Sequence, residues 1–505
     1  MRPGRVLSSR RSRGLGLLLL ALSLSGCMLG PDYRRPGLAL PDGYGAAGAS
    51  GAGGGGALEL QPGQAWWTLY QDARLDALVA AAFRNNADLK VATARILESE
   101  AVLREADSNL LPPLNIGALG SDSRVSRAGA VAIPSGVPVV RRDYQLTTST
   151  AFELDFWGRL RRGTEVARAQ ALGSRYARDT VSLTLAASVA QTLFAVRSAD
   201  AQIALLKQSI ATREESLMLT RRREKAGVAA EIDVNQAAES LADARAQLHE
   251  IERLRGVAAG QLSLLTGELS LIVEPLASTR LGLPLPPLPE VGLPSTLLER
   301  RPDVAATEAS LMAANALIGV AQASRFPTFS LTGFLGGDSL SMSNLLSAPA
   351  RIWSVSGNVA LPVIDWGRYQ ARTEQAVARR QQAAATWEKA VQGAFRDVAD
   401  ALTNLAQARA AEADYAERAT RSRERLRLAR LRYEAGYSGF LEVLDGERSA
   451  NDAALAEIRN RQAVLGYSVD LMRALGGGWS KDSLAQPAGT PNEGEAGRMV
   501  SPFTR

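Results

Sequence analysis

The feature that most constrains this chain is that it repeats itself. Asp155-Phe156-Trp157-Gly158-Arg159 returns later in the chain as Ile364-Asp365-Trp366-Gly367-Arg368. Lys225-Ala226-Gly227 and Ile232-Asp233-Val234 return at that same spacing as Glu434-Ala435-Gly436 and Leu441-Glu442-Val443. Ala87-Asp88-Leu89 and Pro112 return at a slightly wider spacing, as Pro302-Asp303-Val304 and Pro327. Landmarks in one order, twice over, mean an internal duplication. The spacing narrows between the prolines and the tryptophans, which places a length difference in one loop of each half.

Each half has the same plan. A helix is expected from Ala87 to Leu110 and its copy from Asp303 to Ser324. Pro112-Pro113 and Phe326-Pro327 stop them, because proline cannot continue the hydrogen-bond ladder. Strand-like segments follow at Leu114 to Ser121 and Thr328 to Gly336. Their partners alternate with period two. Tyr144, Leu146, Thr148, Thr150, Phe152 and Leu154 alternate with polar or small residues, as do Trp353, Val355, Gly357, Val359 and Leu361. Each half thus carries a β-hairpin of about ten residues per strand, a length that spans a bilayer when tilted. Alternation alone also suits a soluble sandwich.

The helices discriminate. No proline interrupts Trp157 to Ala226 or Trp366 to Ala435, so each reads as one helix of about 70 residues, roughly 100 Å long. Gly227 and Gly436 end them in a left-handed stop. Second helices follow from Glu231 to Leu265 and from Phe440 to Leu475. Helices of this length are coiled-coil-like or bundled, and Leu205, Leu219, Leu426 and Leu431 suit the seam. Two hairpins do not close a barrel, and lipid does not tolerate an open sheet edge. The expected fold is mainly α with a membrane β-barrel: an internally duplicated α-barrel plus four strands per chain, three copies supplying twelve strands.

The ends carry different information. Arg2, Arg5, Arg10, Arg11 and Arg13 precede an apolar run from Leu15 to Leu24, the layout of a signal peptide over residues 1–26. The run ends in Leu24-Ser25-Gly26-Cys27, a lipobox whose thiol takes a diacylglyceryl group. Several acyl chains make a stable anchor, and Met28 at the next position favours the outer membrane over the inner. Residues 27–65 read as a lipid-anchored segment with a flexible linker, Gly43 to Gly56 being dense in Gly and Ala. The first repeat occupies 66–274, a Pro-rich linker 275–292, the second repeat 293–478, and a disordered tail 479–505.

Composition removes most chemistry. The chain has one His and one Cys, so neither a disulfide nor a Cys/His zinc site can form within it. His249 lies mid-helix and reads as solvated or packed. The formal charge of +6 falls to +1 without the five leader arginines, which removes any argument for nucleic acid. No cofactor is expected beyond the lipid on Cys27. Arg221-Arg222-Arg223 and the cluster from Arg421 to Arg432 are interleaved with Glu and read as solvated helix faces, with contact to a partner protein as a second reading.

Several segments resemble one family. Cys27-Met28-Leu29-Gly30-Pro31-Asp32-Tyr33-Arg34-Arg35-Pro36 is similar to the mature start of the NodT-type outer membrane efflux lipoproteins, members of the TolC-like outer membrane factors. Trp66-Trp67-Thr68-Leu69-Tyr70-Gln71-Asp72 resembles the segment that opens their first helix. Arg300-Arg301-Pro302-Asp303-Val304, leading to Arg325-Phe326-Pro327, resembles their mid-chain signature. Arg432-Tyr433-Glu434-Ala435-Gly436 followed by Leu441-Glu442-Val443-Leu444-Asp445 resembles their second periplasmic turn. The resemblance runs from about Cys27 to Trp479.

It implies a homotrimer in the outer membrane, a helical tunnel through the periplasm, and coupling to a periplasmic adaptor and an inner-membrane RND-type pump. It implies that Leu441, Glu442 and Asp445 line a periplasmic aperture, and that Asp233 and Tyr433 help hold it shut. Glu442 departs from the family's aspartate, and Ser438 stands where a basic partner is often found. From the residues alone, a ring of carboxylates narrows a pore and attracts cations. A solvated first-turn pair at a helix N-terminus fits the same two acids. The rival classes are a periplasmic adaptor or structural envelope lipoprotein, and an enzyme. An adaptor carries one helical hairpin in β-rich domains, where this chain has two and few strands. An enzyme would have little but carboxylates to work with.

Overall fold

The structure is a computed structural model that describes residues 28–39, 41, 43–44, 65–130, 133–275, 278, 284–287 and 297–479. Cys27, the signal segment and the tail from residue 480 lie outside these residues. The chain divides into two compact units, each drawing on both repeats.

The first unit comprises residues up to 37, 95–174 and 307–387. It holds one sheet of four antiparallel strands in the order β1 (Asn115–Arg124), β2 (Val140–Leu154), β3 (Thr328–Ser339) and β4 (Arg351–Ala360). The expected hairpins are present, with β2 and β3 reaching further than the alternation indicated. Ile116 pairs Thr148, and their repeat equivalents Leu331 and Gly357 pair with each other, so the two hairpins have the same register. The length difference therefore lies in the hairpin loop, where proline-rich residues 125–139 give way to the shorter second connection.

The register sorts the strands into two faces. Ile116, Leu146, Phe152, Leu331, Trp353 and Val355 share one; Gln145, Ser149, Thr332, Ser354 and Ser356 share the other. Both alternating sets read from the sequence land on the apolar face. From Leu154 to Tyr144 that face extends about 33 Å along the strand, or about 25 Å once tilted as barrel strands are. It is uncovered: Ile116 is 79% exposed and Trp353 71%. Among the described residues, β1 and β4 each leave one edge unpaired.

The N-terminal segment is docked onto the same unit. Arg162, in the first turn of α3 (Arg159–Lys225), is 1% exposed. It donates to Leu29 O at 3.1 Å, Gly30 O at 3.2 Å and Asp32 at 2.8 Å, and pairs with Glu165 at 2.7 Å. Asn315 of α6 (Pro302–Ala323) donates to Pro31 O at 2.7 Å. Buried Glu308 accepts from Tyr33 at 3.2 Å and from Arg35 at 2.7 and 2.9 Å. A Cβ at Gly319 would lie 2.7 Å from Leu29 O, so glycine there admits the segment's backbone.

The second unit comprises 38–94, 175–306 and 388–505 as far as described. A 3-10 turn, Trp66–Tyr70, leads into α1 (Ala73–Asn85), whose N-cap Asp72 accepts from Arg74 N at 3.1 Å and pairs with Arg197 at 2.8 Å. Asn86 separates α1 from α2 (Ala87–Ser108) and donates to Leu265 O at 3.0 Å. Trp66, Tyr70, Leu75, Leu193, Phe194 and Val469 sit at the centre of the largest core, and the Tyr70 hydroxyl meets Ser468 at 2.7 Å. Arg301 is buried and joins the second repeat's ends, bonding Asp303 at 2.6 Å, Asp397 at 3.2 Å and Ala474 O at 3.3 Å. Tyr44, inside the Gly/Ala-rich run read as linker, is instead buried and stacks on Phe395 with ring centres 5.2 Å apart.

The long helices are α3, α4 (Glu231–Thr266), α7 (Arg368–Glu434) and α8 (Phe440–Ala474), with the short α5 (Leu297–Arg300) before α6. Their bounds closely match the proline-free stretches. Two seam positions differ. Leu205 and Leu426 pack, but Leu219 and Leu431 are exposed, because a contact between two helices covers only a narrow stripe of each.

Arg162→Ala is expected to destabilise the fold by about 3 kcal/mol, since it strips the donor from two carbonyls and unpairs Asp32. Thermal unfolding measures the loss, and limited proteolysis should cut residues 28–36 sooner than in the parent.

Candidate functional site

Both long helices end in the same way. Gly227 has φ 73° and Gly436 φ 80°, backbone that only glycine adopts freely. Val228 N donates to Arg223 O at 2.9 Å and Gly227 N to Glu224 O at 2.8 Å. In the second repeat Tyr437 N donates to Arg432 O at 2.8 Å and Gly436 N to Tyr433 O at 3.1 Å. Each is a Schellman stop, satisfying carbonyls that the helix end would otherwise orphan. α4 and α8 then start without side-chain caps, and the acids Glu231, Asp233 and Glu442 in their first turns complement the helix dipole.

The two turns form one packed body. Tyr433 is buried against Phe440, ring centres 5.3 Å apart. Arg223 of the first repeat lies 4.4 Å over the Tyr433 ring and donates to Tyr433 O at 3.4 Å. Leu217, Ala237 and Leu241 complete the cluster with Phe440 and Val443. The Tyr433 hydroxyl is buried and has no hydrogen-bond partner among the described residues. Asp233, half-exposed in its first turn, is therefore not its partner.

Leu441 is 65% exposed and its repeat equivalent Ile232 63%. Glu442 lies 3.8 Å from Arg432. Asp445 pairs with Arg425, which also donates to Ser449 at 3.2 Å. Glu447 is buried, pairs with Arg430 at 2.8 Å and accepts from Ser216 at 3.1 Å. The arginine partners of these three acids all come from α7. Arg425, Arg430 and Arg432 belong to the cluster that the sequence reading left as a solvated face. Counting the arginines back from Gly436 against the acids counted forward would have paired only Arg432 with Glu442, because the other two pairs cross: Arg430 reaches Glu447 and the more distant Arg425 reaches Asp445.

Among the described residues no group of three His, Cys, Asp or Glu is placed to hold a metal. His249 is exposed, 3.6 Å from Glu252.

Comparison with known proteins is consistent over nearly the whole length. The family described as Outer membrane efflux protein matches residues 78–268 and 293–477. The chain is 35% identical over 476 residues to the outer membrane protein OprJ of Pseudomonas aeruginosa, covering 93% of this chain and 96% of OprJ. It is 31% identical to the cation efflux system protein CusC of Escherichia coli K12, covering 91% and 98%. The open state of the MtrE outer membrane channel of Neisseria gonorrhoeae superposes with a TM-score of 0.77 at 30% identity, over 90% of this chain and all of that one.

Tyr433→Ala should remove about 3 kcal/mol from the turns. Hydrogen exchange should quicken over residues 217–241 as well as 426–443, while Tyr433→Phe, which loses only an unpartnered hydroxyl, should leave exchange unchanged.

Proposed function

Because this chain belongs to the outer membrane efflux protein family, we propose that it works as a homotrimeric exit duct joined to a periplasmic adaptor and an inner-membrane RND-type pump. As a member it is an outer membrane efflux channel and not an enzyme. The observation that carries the trimer is the four-stranded sheet with two unpaired edges and an uncovered apolar face. Four strands are too few to close, and three copies bring twelve, within the range of membrane barrels. The polar face of Gln145, Ser149, Thr332 and Ser354 then lines the bore. Helices of 67 residues, about 100 Å each, supply a reach that a barrel alone lacks.

The cargo is a class of small toxic molecules chosen by the pump. One relative is a cation efflux protein and another a toluene efflux pump protein, so the duct itself is permissive. The turns carrying Leu441, Glu442 and Asp445 serve as the periplasmic aperture, with Asp233 and Tyr433 among the residues that hold it closed. Acid and arginine from the same chain neutralise each other there, and Leu441 supplies an apolar constriction.

Cys27 carries the lipid anchor. Support comes from the residues just after it: Leu29 N donates to Trp157 O at 3.1 Å, and Met28 packs against Gly158. The chain immediately following Cys27 is therefore tied to the junction where strand gives way to helix, the level at which an acyl chain entering the inner leaflet belongs.

Two measurements test this reading. In planar bilayers the mature protein should show a small conductance with little charge preference. Glu442→Ala with Asp445→Ala should enlarge it and shift it toward anions, because Arg432 and Arg425 are left unpaired. A conducting parent matched by the variant would refute the aperture assignment and leave the channel. Radiolabelled palmitate should enter the parent and not Cys27→Ser.

A further inference from the structure

The ends of the strands farthest from the helices carry a pattern that the duplication repeats. β2 begins with Arg142-Asp143-Tyr144 and β4 with Arg351-Ile352-Trp353, set at the spacing that relates the tryptophans of the two halves. In each, the arginine and the aromatic residue are two apart and so share a face. The register names that face. Tyr144 stands opposite Gly120 and its ring lies over it, 3.5 Å from where a Cβ would be. Trp353 stands opposite Leu335, Arg142 opposite Asp122, and Arg351 opposite Gly337, which also pairs with Leu146. All of these belong to the apolar face, and β1 ends on it too, with Arg124 opposite Val140. β2 leads into α3 at its other end, so on both strands the arginine is the outer residue and the aromatic the inner one.

Charge is sorted across the sheet at this end. The apolar face carries Arg124, Arg142 and Arg351 against a single acid, Asp122, which Arg142 engages at 3.2 Å. The opposite face carries both signs, Arg141 with Asp143 and Asp338. Arg124 and Arg351 make no ion pair among the described residues. The connection from β3 to β4 adds apolar side chains beside these arginines, since Leu340, Met342 and Leu346 are all exposed. It folds back on β3, where a Cβ at Gly337 would collide with the Leu345 carbonyl. Gly337 lies in the row of Leu146 and Arg351, so the connection covers the apolar side of the sheet and not the polar one.

We propose that this rim is a recognition surface for anionic, phosphate-bearing lipid of the outer leaflet. Arg124, Arg142 and Arg351 meet the headgroup phosphates, which guanidinium groups engage through paired N–H donors. Tyr144 and Trp353 lie about 7 Å deeper along their strands, at the level where amphipathic rings settle in a membrane interface. The β3–β4 connection lays Leu340, Met342 and Leu346 on the acyl chains outside the bore. This rests on the reading of the apolar face as lipid-facing and adds the lipid that it selects. An apolar belt takes any acyl chain. Unpaired arginines on its rim distinguish headgroups, because a zwitterionic lipid neutralises its own phosphate and an anionic one leaves that charge to the protein.

Native mass spectrometry of the mature protein, equilibrated in detergent with lipid A or with phosphatidylcholine, tests the arginines. The parent should retain lipid A in preference. Arg124→Gln with Arg142→Gln and Arg351→Gln should lower that preference at least about tenfold, and Arg351→Gln alone, which breaks no ion pair within the chain, about fivefold. Arg141→Gln, on the opposite face, should leave it unchanged, and excess inorganic phosphate should not displace the lipid. Preference kept by both the triple and the Arg351→Gln variants overturns the rim. Loss in Arg141→Gln overturns the facing, and displacement by phosphate overturns lipid as the source of the anion. For the connection, Leu346→Cys is labelled with bimane in vesicles, against the labelled parent, whose only cysteine is Cys27. Nitroxides on lipid acyl chains should quench it and iodide in the water should not; the reverse overturns the placement of the connection. A label at Val355→Cys, within the belt, that escapes the lipid-borne quencher overturns the lipid-facing reading instead.

Discussion

Every backbone amide and carbonyl placed in hydrocarbon must find a partner in the protein, because no water is there to substitute. For this chain that obligation decides nearly everything else. Four strands with an apolar face about 25 Å tall once tilted belong in a bilayer, yet β1 and β4 present open edges. The chain alone cannot satisfy them, so its fold is a fraction of a closed object. Strands that are hydrophobic on one face and hydroxyl-rich on the other then have a use for both, lipid outside and water within. The exposed side chains of β1 and β4 are accordingly surfaces awaiting neighbours.

Duplication makes closure economical. A protein whose two halves share one plan needs only one hairpin design to supply all its strands. The equal registers of the two hairpins show how strictly the plan is kept in the strands, while the hairpin loops absorb the whole difference in length. Strands tolerate no slip because a shift of one residue turns every side chain to the wrong face. Loops carry no such penalty. The same asymmetry separates the shared plan from the N-terminal segment, which has no duplicate and is held by Arg162, Asn315 and Glu308.

Much of this was legible in the residues. Proline-free stretches located the long helices, Gly227 and Gly436 located the stops, and alternation located β2 and β4, because each signal is local and acts through backbone conformation. What escaped was contact between segments distant in sequence. The cluster from Arg421 to Arg432 read as a solvated face, and three of its members turn out to pair with Glu442, Asp445 and Glu447. Nothing in the composition of residues 28–44 shows that a buried arginine and a buried glutamate wait for Asp32 and Arg35, or that Tyr44 stacks on Phe395. Leu219 and Leu431 had the right period for a seam but face away from it, since a period gives the stripe and not which stripe is covered.

The strengths of the contacts at the turns fix how they can move. Exposed ion pairs such as Arg425–Asp445 contribute at most about 1 kcal/mol each, and Arg432–Glu442, at 3.8 Å, is a loose one. Tyr433 and Phe440 bury whole rings, worth roughly 2–3 kcal/mol apiece, and Arg223 over the Tyr433 ring adds about 1 kcal/mol more. The aromatic cluster therefore outweighs the ion pairs several times over, and it spans both repeats. Separating the first turn from the second within a chain means breaking that cluster, whereas carrying both turns together leaves it whole. Any rearrangement at this end that keeps the cluster intact thus moves the paired turns of a chain as one body. The ion pairs set the charge that the turns present, and the packed rings hold the two turns together.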